Sequence, residues 1–258
     1  MERIVDIESY RSVGRFFQVY DRPVKALVSE ILSLGSYPRK IKIKTPIGRQ
    51  EVTLYSVADF STLNLVFCRQ DYLAPKSFET VVDIGSNIGL SSLYWLTRNP
   101  ASFVYAYEPS PFSMERLREN LQGFEDRYNA KPAAVSDFSG QAQLGIEASG
   151  VYSSLDLVSA NSVTCECMHI NDVLEEALTE RGFIDILKVD SEGHELRSIK
   201  AIDPSFWPYI ACVNTDARGC GEFIPKVFQR TIVSSAERFY NKPSQPKIYS
   251  PLGQVATN

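Results

Sequence analysis

The stretch Thr80-Val81-Val82-Asp83-Ile84-Gly85-Ser86-Asn87-Ile88-Gly89-Leu90 constrains the fold more than any other part of the chain. Val81 and Val82 read as the middle of a buried strand, which Asp83 ends. The turn that follows carries glycine at 85 and 89. Leu90 to Leu96 then reads as a helix, stopped by Asn99-Pro100. Strand, glycine turn and helix together are how an open α/β sheet turns backbone N–H groups towards a ligand. The spacing is D-x-G-x-x-x-G, without the middle glycine of the dinucleotide pattern G-x-G-x-x-G. A purely structural role, with the glycines serving only a tight turn and close helix packing, remains the alternative.

The rest of the chain alternates in the same style. Val24, Leu27, Val28, Ile31 and Leu32 give helical spacing between Val19 and Leu34, ended by Gly35 and Pro38. Lys40 to Lys44 and Gln50 to Tyr55 read as a hairpin around Pro46-Ile47-Gly48. The alternating lysines suit a solvated edge that discourages pairing with other chains, or else a surface for an acidic substrate. Asp59 is the expected cap of a short helix through Phe67. Ser102 to Tyr107 is a strand, and Ser110 with Pro111 opens the next helix, towards Leu121. Strands follow at 130–135, 141–146, 163–168, 183–189 and 210–214. Asn171 is the expected cap of a helix from Asp172 to Arg181, with Gly182 as its stop. A last helix runs from Glu192 or Gly193 to about Ala201. Alternating strands and helices imply an α/β fold with a mostly parallel sheet, helices on both faces and an N-terminal helix and hairpin extension. The expected division is 1–76 for that extension, 77–214 for the sheet domain and 215–258 for a C-terminal segment.

Composition narrows the functional classes. Hydrophobic residues make up 44 % of 258, enough for a sizeable core. A net charge of −4 argues against a nucleic-acid partner held by a basic surface. No apolar run is long enough to insert in a membrane, and the N-terminus lacks the apolar core of a signal peptide. Five scattered cysteines suit a reducing, cytoplasmic setting. Val163, Cys165 and Cys167 alternate like the inner face of a strand. With two histidines in the chain, a histidine-rich metal centre is excluded.

In an open α/β sheet, ligands sit beyond the C-terminal strand ends. The residues there are Asp83, Glu108, Ser136-Asp137 and Asp190, all acidic or polar. Glu108 lies at the distance from the glycine turn expected for an acid that accepts both ribose hydroxyls. NAD enzymes and methyltransferases share that role, and a helix-end acid favoured by the macrodipole is the alternative.

Four segments taken together, Asp83 to Gly89, Tyr107-Glu108-Pro109-Ser110-Pro111, Ala134-Val135-Ser136-Asp137 with Gly140, and Leu187-Lys188-Val189-Asp190-Ser191-Glu192-Gly193-His194-Glu195, resemble the successive motifs of FkbM-type methyltransferases. The resemblance covers about residues 59 to 202. It implies a class I methyltransferase Rossmann-like sheet, S-adenosylmethionine as cofactor and transfer to the hydroxyl of a small molecule such as a polyketide or sugar, as in natural product biosynthesis. Carried over by position, Asp83, Gly85 and Asn87 border the methionine part, with Ser86 and Gly89 in the same binding turn. Glu108 holds the ribose, with Pro109 beside it. Ser136 and Asp137 face the adenine edge, and Asp190 lies beside the sulfonium. Residues 1–58 and 215–258 match no family pattern and are where acceptor identity would reside.

An alcohol needs a general base to become a good nucleophile. His194 is the first candidate, since an imidazole titrates near neutrality; Asp190 competes with it. Lys188 is expected to pair with an acid such as Glu192 or Glu195. Asp190, Glu192 and Asp216 are a less favoured oxygen set for Mg²⁺. Tyr72, Tyr152 and His169 are candidate acceptor-pocket residues, and Tyr10, Phe16, Phe17, Tyr20, Phe223 and Phe228 are candidates for an apolar lid. The rival readings are an NAD-dependent oxidoreductase and a non-catalytic, cofactor-binding member of the family.

Overall fold

The computed structural model describes residues 7–31, 36–72, 75, 77–146, 153–155, 161–191, 193–233 and 236–241. Tyr152, Glu192 and the side chain of Tyr10 lie outside the described residues. In chain order the N-terminal part contains α1 (Ile7–Val19), α2 (Pro23–Ile31), β1 (Arg39–Thr45), β2 (Gly48–Leu54) and α3 (Val57–Leu63), which runs on into a π-helical turn (Asn64–Arg69). Next come β3 (Thr80–Ile84), α4 (Leu90–Leu96), β4 (Phe103–Tyr107), α5 (Pro111–Asn120), β5 (Tyr128–Lys131), β6 (Ala133–Ser136), β7 (Gly140–Ile146) and β8 (Ser153–Ser154). The remainder is β9 (Ser162–His169), α6 (Ile170–Arg181), β10 (Ile186–Val189), α7 (Glu195–Lys200), β11 (Cys212–Thr215), β12 (Gln229–Val233) and β13 (Ala236–Tyr240).

Several expected boundaries move, each for a local reason. The single helix expected over 19–34 is two helices: Pro23, which has no N–H to give, opens α2 rather than continuing α1. Ser56, not Asp59, caps α3; its hydroxyl accepts the Asp59 N–H, while the Asp59 carboxylate accepts the N–H of Tyr55 at 2.7 Å. His169, not Asn171, caps α6 by accepting the Asn171 N–H through Nδ1. The expected strand over 130–135 breaks at Pro132, and its halves join different sheets. Ser110 caps α5 with Pro111 in the first turn, and Gly182 closes α6 in a left-handed conformation.

The main sheet has the order β12-β13-β11-β10-β3-β4-β5. All pairings from β11 across to β5 are parallel, while β13 is antiparallel to both β11 and β12. The division expected after residue 214 therefore falls within β11, and the C-terminal hairpin completes the same sheet. A second sheet, β6-β9-β7-β8, follows β5. Its buried Cys165 and Cys167 pack with Leu144 and Ile146. Helices cover both faces of the main sheet. Val81, Val104 and Ile186 meet residues of α4 and α5 on one side, and Val82, Leu187 and Val213 meet α6 and α7 on the other.

The chain leaves β3 in one direction to build β4 and β5, then returns to place β10 on the opposite flank of β3. The loops after β3 and β10 diverge at this reversal and open a crevice at the carboxyl end of the sheet. No helix among the described residues is long and apolar enough to cross a membrane.

Candidate active site

The crevice is a cavity whose walls come from the strand ends. Gly85, Ser86 and Asn87 line it after β3, Glu108 and Pro109 after β4, and Asp190, Ser191 and His194 after β10. The turn after β3 requires its glycine. Gly85 has φ +73°, and a Cβ there would stand 1.7 Å from the Asp190 carbonyl oxygen. Its N–H and that of Ser86 donate to the Tyr107 carbonyl at 2.9 and 3.1 Å, joining the turn to β4. Gly89 starts α4 and packs on Leu117, behind the cavity wall.

Glu108 is buried and faces the turn. Its Oε2 accepts the Asn87 N–H at 2.9 Å and its Oε1 the Ser110 N–H at 2.8 Å. Burial pushes its carboxyl up to about 7, against the pull of those two N–H groups and of Lys188. Beside it, Ala133, Ala134, Val135, Leu144 and Leu155 form an apolar wall contributed largely by the second sheet. Ser136 and Asp137, expected at the same edge, do not line the cavity. Ser136 Oγ sits 2.8 Å from His194 Nδ1, and Asp137 pairs with Arg197 at 3.0 Å.

Asp83 is also off the cavity. Its carboxylate is wholly buried and accepts from the Ser91 and Ser92 hydroxyls at 2.7 and 2.6 Å. Its cation is Lys188, 3.1 Å away, which corrects the expected pairing of Lys188 with Glu195. Glu195 instead accepts the Gly193 N–H. The register explains the Asp83–Lys188 pair, because these residues stand opposite each other on β3 and β10 and so project on one face. The Lys188 ammonium donates to the carbonyls of Ile84 and Gly85 at 3.1 and 2.7 Å, so it also holds the glycine turn. Burial alone would lower its pKa, but Asp83 and Asp190 outweigh burial and hold it above the ordinary lysine range.

Asp190 meets Lys188 at 3.4 Å and accepts the Tyr72 hydroxyl at 2.8 Å. Asp216 stands beside it at the next strand end; burial, then the Asp190 charge, push the Asp216 carboxyl up to about 7. Along the chain Asp216 is a strand-end residue and a candidate metal ligand; the β10–β11 register is what sets it beside Asp190. Among the described residues no three His, Cys, Asp or Glu side chains gather in a metal-binding arrangement.

His194 is 2 % exposed and lines the cavity, rather than standing on an exposed helix turn. Tyr72 lines the cavity as expected, together with Asp59, Thr62 and Val66 from α3 and the π-helical turn, which no pattern along the chain marks. His169 is occupied as a helix cap. The proposed lid aromatics stand elsewhere. Tyr20 is core, bonded to Asn64 and stacked on Phe16, Phe228 packs on Trp207, and Phe17 and Phe223 are largely exposed.

This geometry joins a carboxylate beside a glycine turn, an apolar wall and a buried histidine at one crevice. Residues 83–240 match the methyltransferase FkbM domain family. Methyltransferase sdnD of Sordaria araneosa is 27% identical over 163 residues, covering 50% of this chain and 62% of that protein. The 31-O-demethyl-FK506 methyltransferase FkbM of Streptomyces tacrolimicus is 26% identical, covering 51% of this chain and 62% of the relative. The solved methyltransferase FkbM from Methylobacillus flagellatus KT superposes with a TM-score of 0.48 at 17% identity, over 67% of this chain and 46% of that one. The chain thus spans less than two thirds of the length of these relatives. The family match extends over more than half of the chain and over the strand ends of the crevice, and on that ground the chain, with its mostly parallel α/β sheet, belongs to the FkbM methyltransferase domain family.

Proposed function

We propose that the protein is an S-adenosylmethionine-dependent methyltransferase acting on a hydroxyl oxygen of a small molecule. The observation that carries the reading is Glu108, a buried carboxylate held by two backbone N–H groups at the mouth of the β4 end. Each carboxylate oxygen keeps a further lone pair, so a ribose diol can donate to both. The apolar wall of Ala134, Val135 and Leu144 suits a purine ring. The turn offers no glycine-lined phosphate cradle, which suits a cofactor without a pyrophosphate better than NAD.

When bound, the cofactor supplies a methyl group on a positively charged sulfur. The chain's part is to hold, align and move a proton. Asp190 brings negative charge to the β10 side of the crevice. His194 is our candidate base. With its Nδ1–H donating to Ser136 Oγ, and Ser136 donating to Asp137 at 3.0 Å, Nε2 is the nitrogen that takes the acceptor's proton. Asp190 is the competing base, though Lys188, Tyr72 and Asp216 already engage it. The name of the 31-O-demethyl-FK506 relative supports oxygen as the acceptor atom. A net charge of −4 favours a small acceptor over a nucleic acid, and five free, buried cysteines suit a reducing compartment.

Calorimetry with S-adenosylhomocysteine and NAD side by side tests the reading. Binding of S-adenosylhomocysteine alone is expected; binding of NAD alone would overturn it in favour of an oxidoreductase. Glu108→Ala should then weaken S-adenosylhomocysteine binding by about tenfold or more. With an acceptor found among macrolide, glycoside and phenolic alcohols, His194→Ala should slow a single turnover by about 10²–10⁴-fold. An unchanged single-turnover rate would leave Asp190 as the base.

A further inference from the structure

Four buried polar residues stand in one row across the main sheet. Asp83 is opposite Lys188, Lys188 opposite Asn214, and Asn214 opposite Arg238. Strand alternation puts all four on the face towards α4. The first two belong to the glycine turn described above. Arg238 belongs to the C-terminal hairpin and reaches in another direction, to the loop ahead of β3. Its Nε donates to the Asp71 carbonyl and a terminal nitrogen to the Gln70 carbonyl, both at 2.5 Å. The planar guanidinium presents two N–H groups as a fork, so two adjacent carbonyls fix the loop's direction as well as its distance.

That loop is tightly turned. Gln70 takes a left-handed conformation, φ 62°, at the end of the π-helical turn, and the Asp71 N–H donates back to Leu65 at 3.1 Å. The Asp71 carboxylate is buried against Arg69. The next residue is Tyr72, packed against Trp95 and donating its hydroxyl to Asp190 Oδ2. Asp190 has three claimants. Lys188 and the Tyr72 hydroxyl both reach its Oδ2, at 3.4 and 2.8 Å, and Asp216 stands at the neighbouring strand end. The tyrosine hydroxyl is a hydrogen-bond donor to this carboxylate from outside the sheet, and with Lys188 it fixes Oδ2 in place.

We propose that Arg238 and Tyr72 work as one positioning device, in which the C-terminal hairpin holds the loop whose tyrosine hydroxyl orients the Asp190 carboxylate. The inference rests on the methyltransferase reading only for what Asp190 then faces, the positively charged end of the methyl donor. It makes Arg238 a positioning residue for a site it does not touch.

The test uses the full chain and the variants Tyr72→Phe, Arg238→Met and Arg238→Lys. Two readouts are needed. The first is the ratio of dissociation constants for S-adenosylmethionine and S-adenosylhomocysteine, which differ in the charge that Asp190 would meet. Tyr72→Phe and Arg238→Met should each shift that ratio against S-adenosylmethionine by about tenfold, the scale of one hydrogen bond to a charged group. The double variant should shift it no further, because both act through the same carboxylate. Arg238→Lys should recover part of the loss. The second readout needs no ligand. Amide exchange at Asp71 and Tyr72 should quicken about tenfold or more in Arg238→Met while β10 amides stay protected. Multiplying single-variant shifts in the double variant, or unchanged ratios, would overturn the proposal. If the parent binds neither ligand, the methyl-donor reading fails by itself. Unchanged exchange at Asp71 and Tyr72 would then overturn the device on its own terms, as it would if Arg238→Met did not fold and Arg238→Lys exchanged like the parent.

Discussion

The two faces of the main sheet differ at their carboxyl ends, although both are apolar further back, where Val81, Val104 and Ile186 pack under α4 and α5. Towards α6 and α7 the strands present Val82, Ile84, Leu187, Val189, Val213 and Phe239, an apolar layer. Towards α4 the same strands present Asp83, Lys188, Asn214 and Arg238, none more than 7 % exposed. A buried ion pair is weak evidence of stabilisation, because desolvation offsets most of its Coulomb energy. The apolar clusters on both faces thus hold the fold together, while the polar row adds little stability and organises what lies at the strand ends. Lys188 ties down the glycine turn, and Arg238 ties down the loop before Tyr72.

The largest test of that contrast is Lys188→Met. It strands the Asp83 carboxylate in the core and should destabilise the protein by about 3–5 kcal/mol in urea unfolding. Adding Asp83→Leu should restore much of this stability without restoring S-adenosylhomocysteine binding. If the double variant bound normally, the row would have no part in the site. On the apolar face, Leu187→Ala should cost about 2–5 kcal/mol by the same measurement, yet leave ligand affinity near that of the parent at temperatures where the variant is folded. A large affinity loss would mean the faces are less separate than their chemistry suggests. Ser91→Ala is smaller. It removes one hydrogen bond to a buried carboxylate, worth about 1.5–3 kcal/mol, and Ser92 remains to serve Asp83.

The finest test is pH. Glu108 and Asp216 both have carboxyls raised to about 7, chiefly by burial. A raised acid binds its proton more tightly folded than unfolded. Its contribution to stability is complete below the ordinary carboxylate range and is lost as pH rises towards 7. Urea midpoints should therefore fall over that window, and Glu108→Gln or Asp216→Asn should each flatten the slope. A slope unchanged in both variants would assign the titration to other groups.

Much of the crevice was legible along the chain, because its parts are local. Strand, glycine turn and helix follow one another within Thr80 to Leu96, and a capping serine with a proline marks the next helix at Ser110-Pro111. Glu108 could be picked out because the end of the second strand is a position, not a contact. Side-chain partners were harder. The pairing of Lys188 with Asp83 depends on two strands far apart in the chain standing in a particular register, and period-two patterning carries no information about which residue lies opposite. Ser136 and Asp137 were rightly found at a strand end, but β6 leaves the main sheet after Pro132, so they meet His194 and Arg197 instead of the cavity.

By itself the sequence determined the alternation of elements, the glycine turn and the acid after the second strand. All of these depend on backbone conformation and periodicity within a few residues. Only the tertiary structure decided that β12 and β13 extend the sheet, that Tyr72 meets Asp190 and that Asp216 shares its carboxylate environment. Those facts come from long-range packing, where burial raises the stakes of every polar contact and the partner is chosen by geometry that no local pattern encodes.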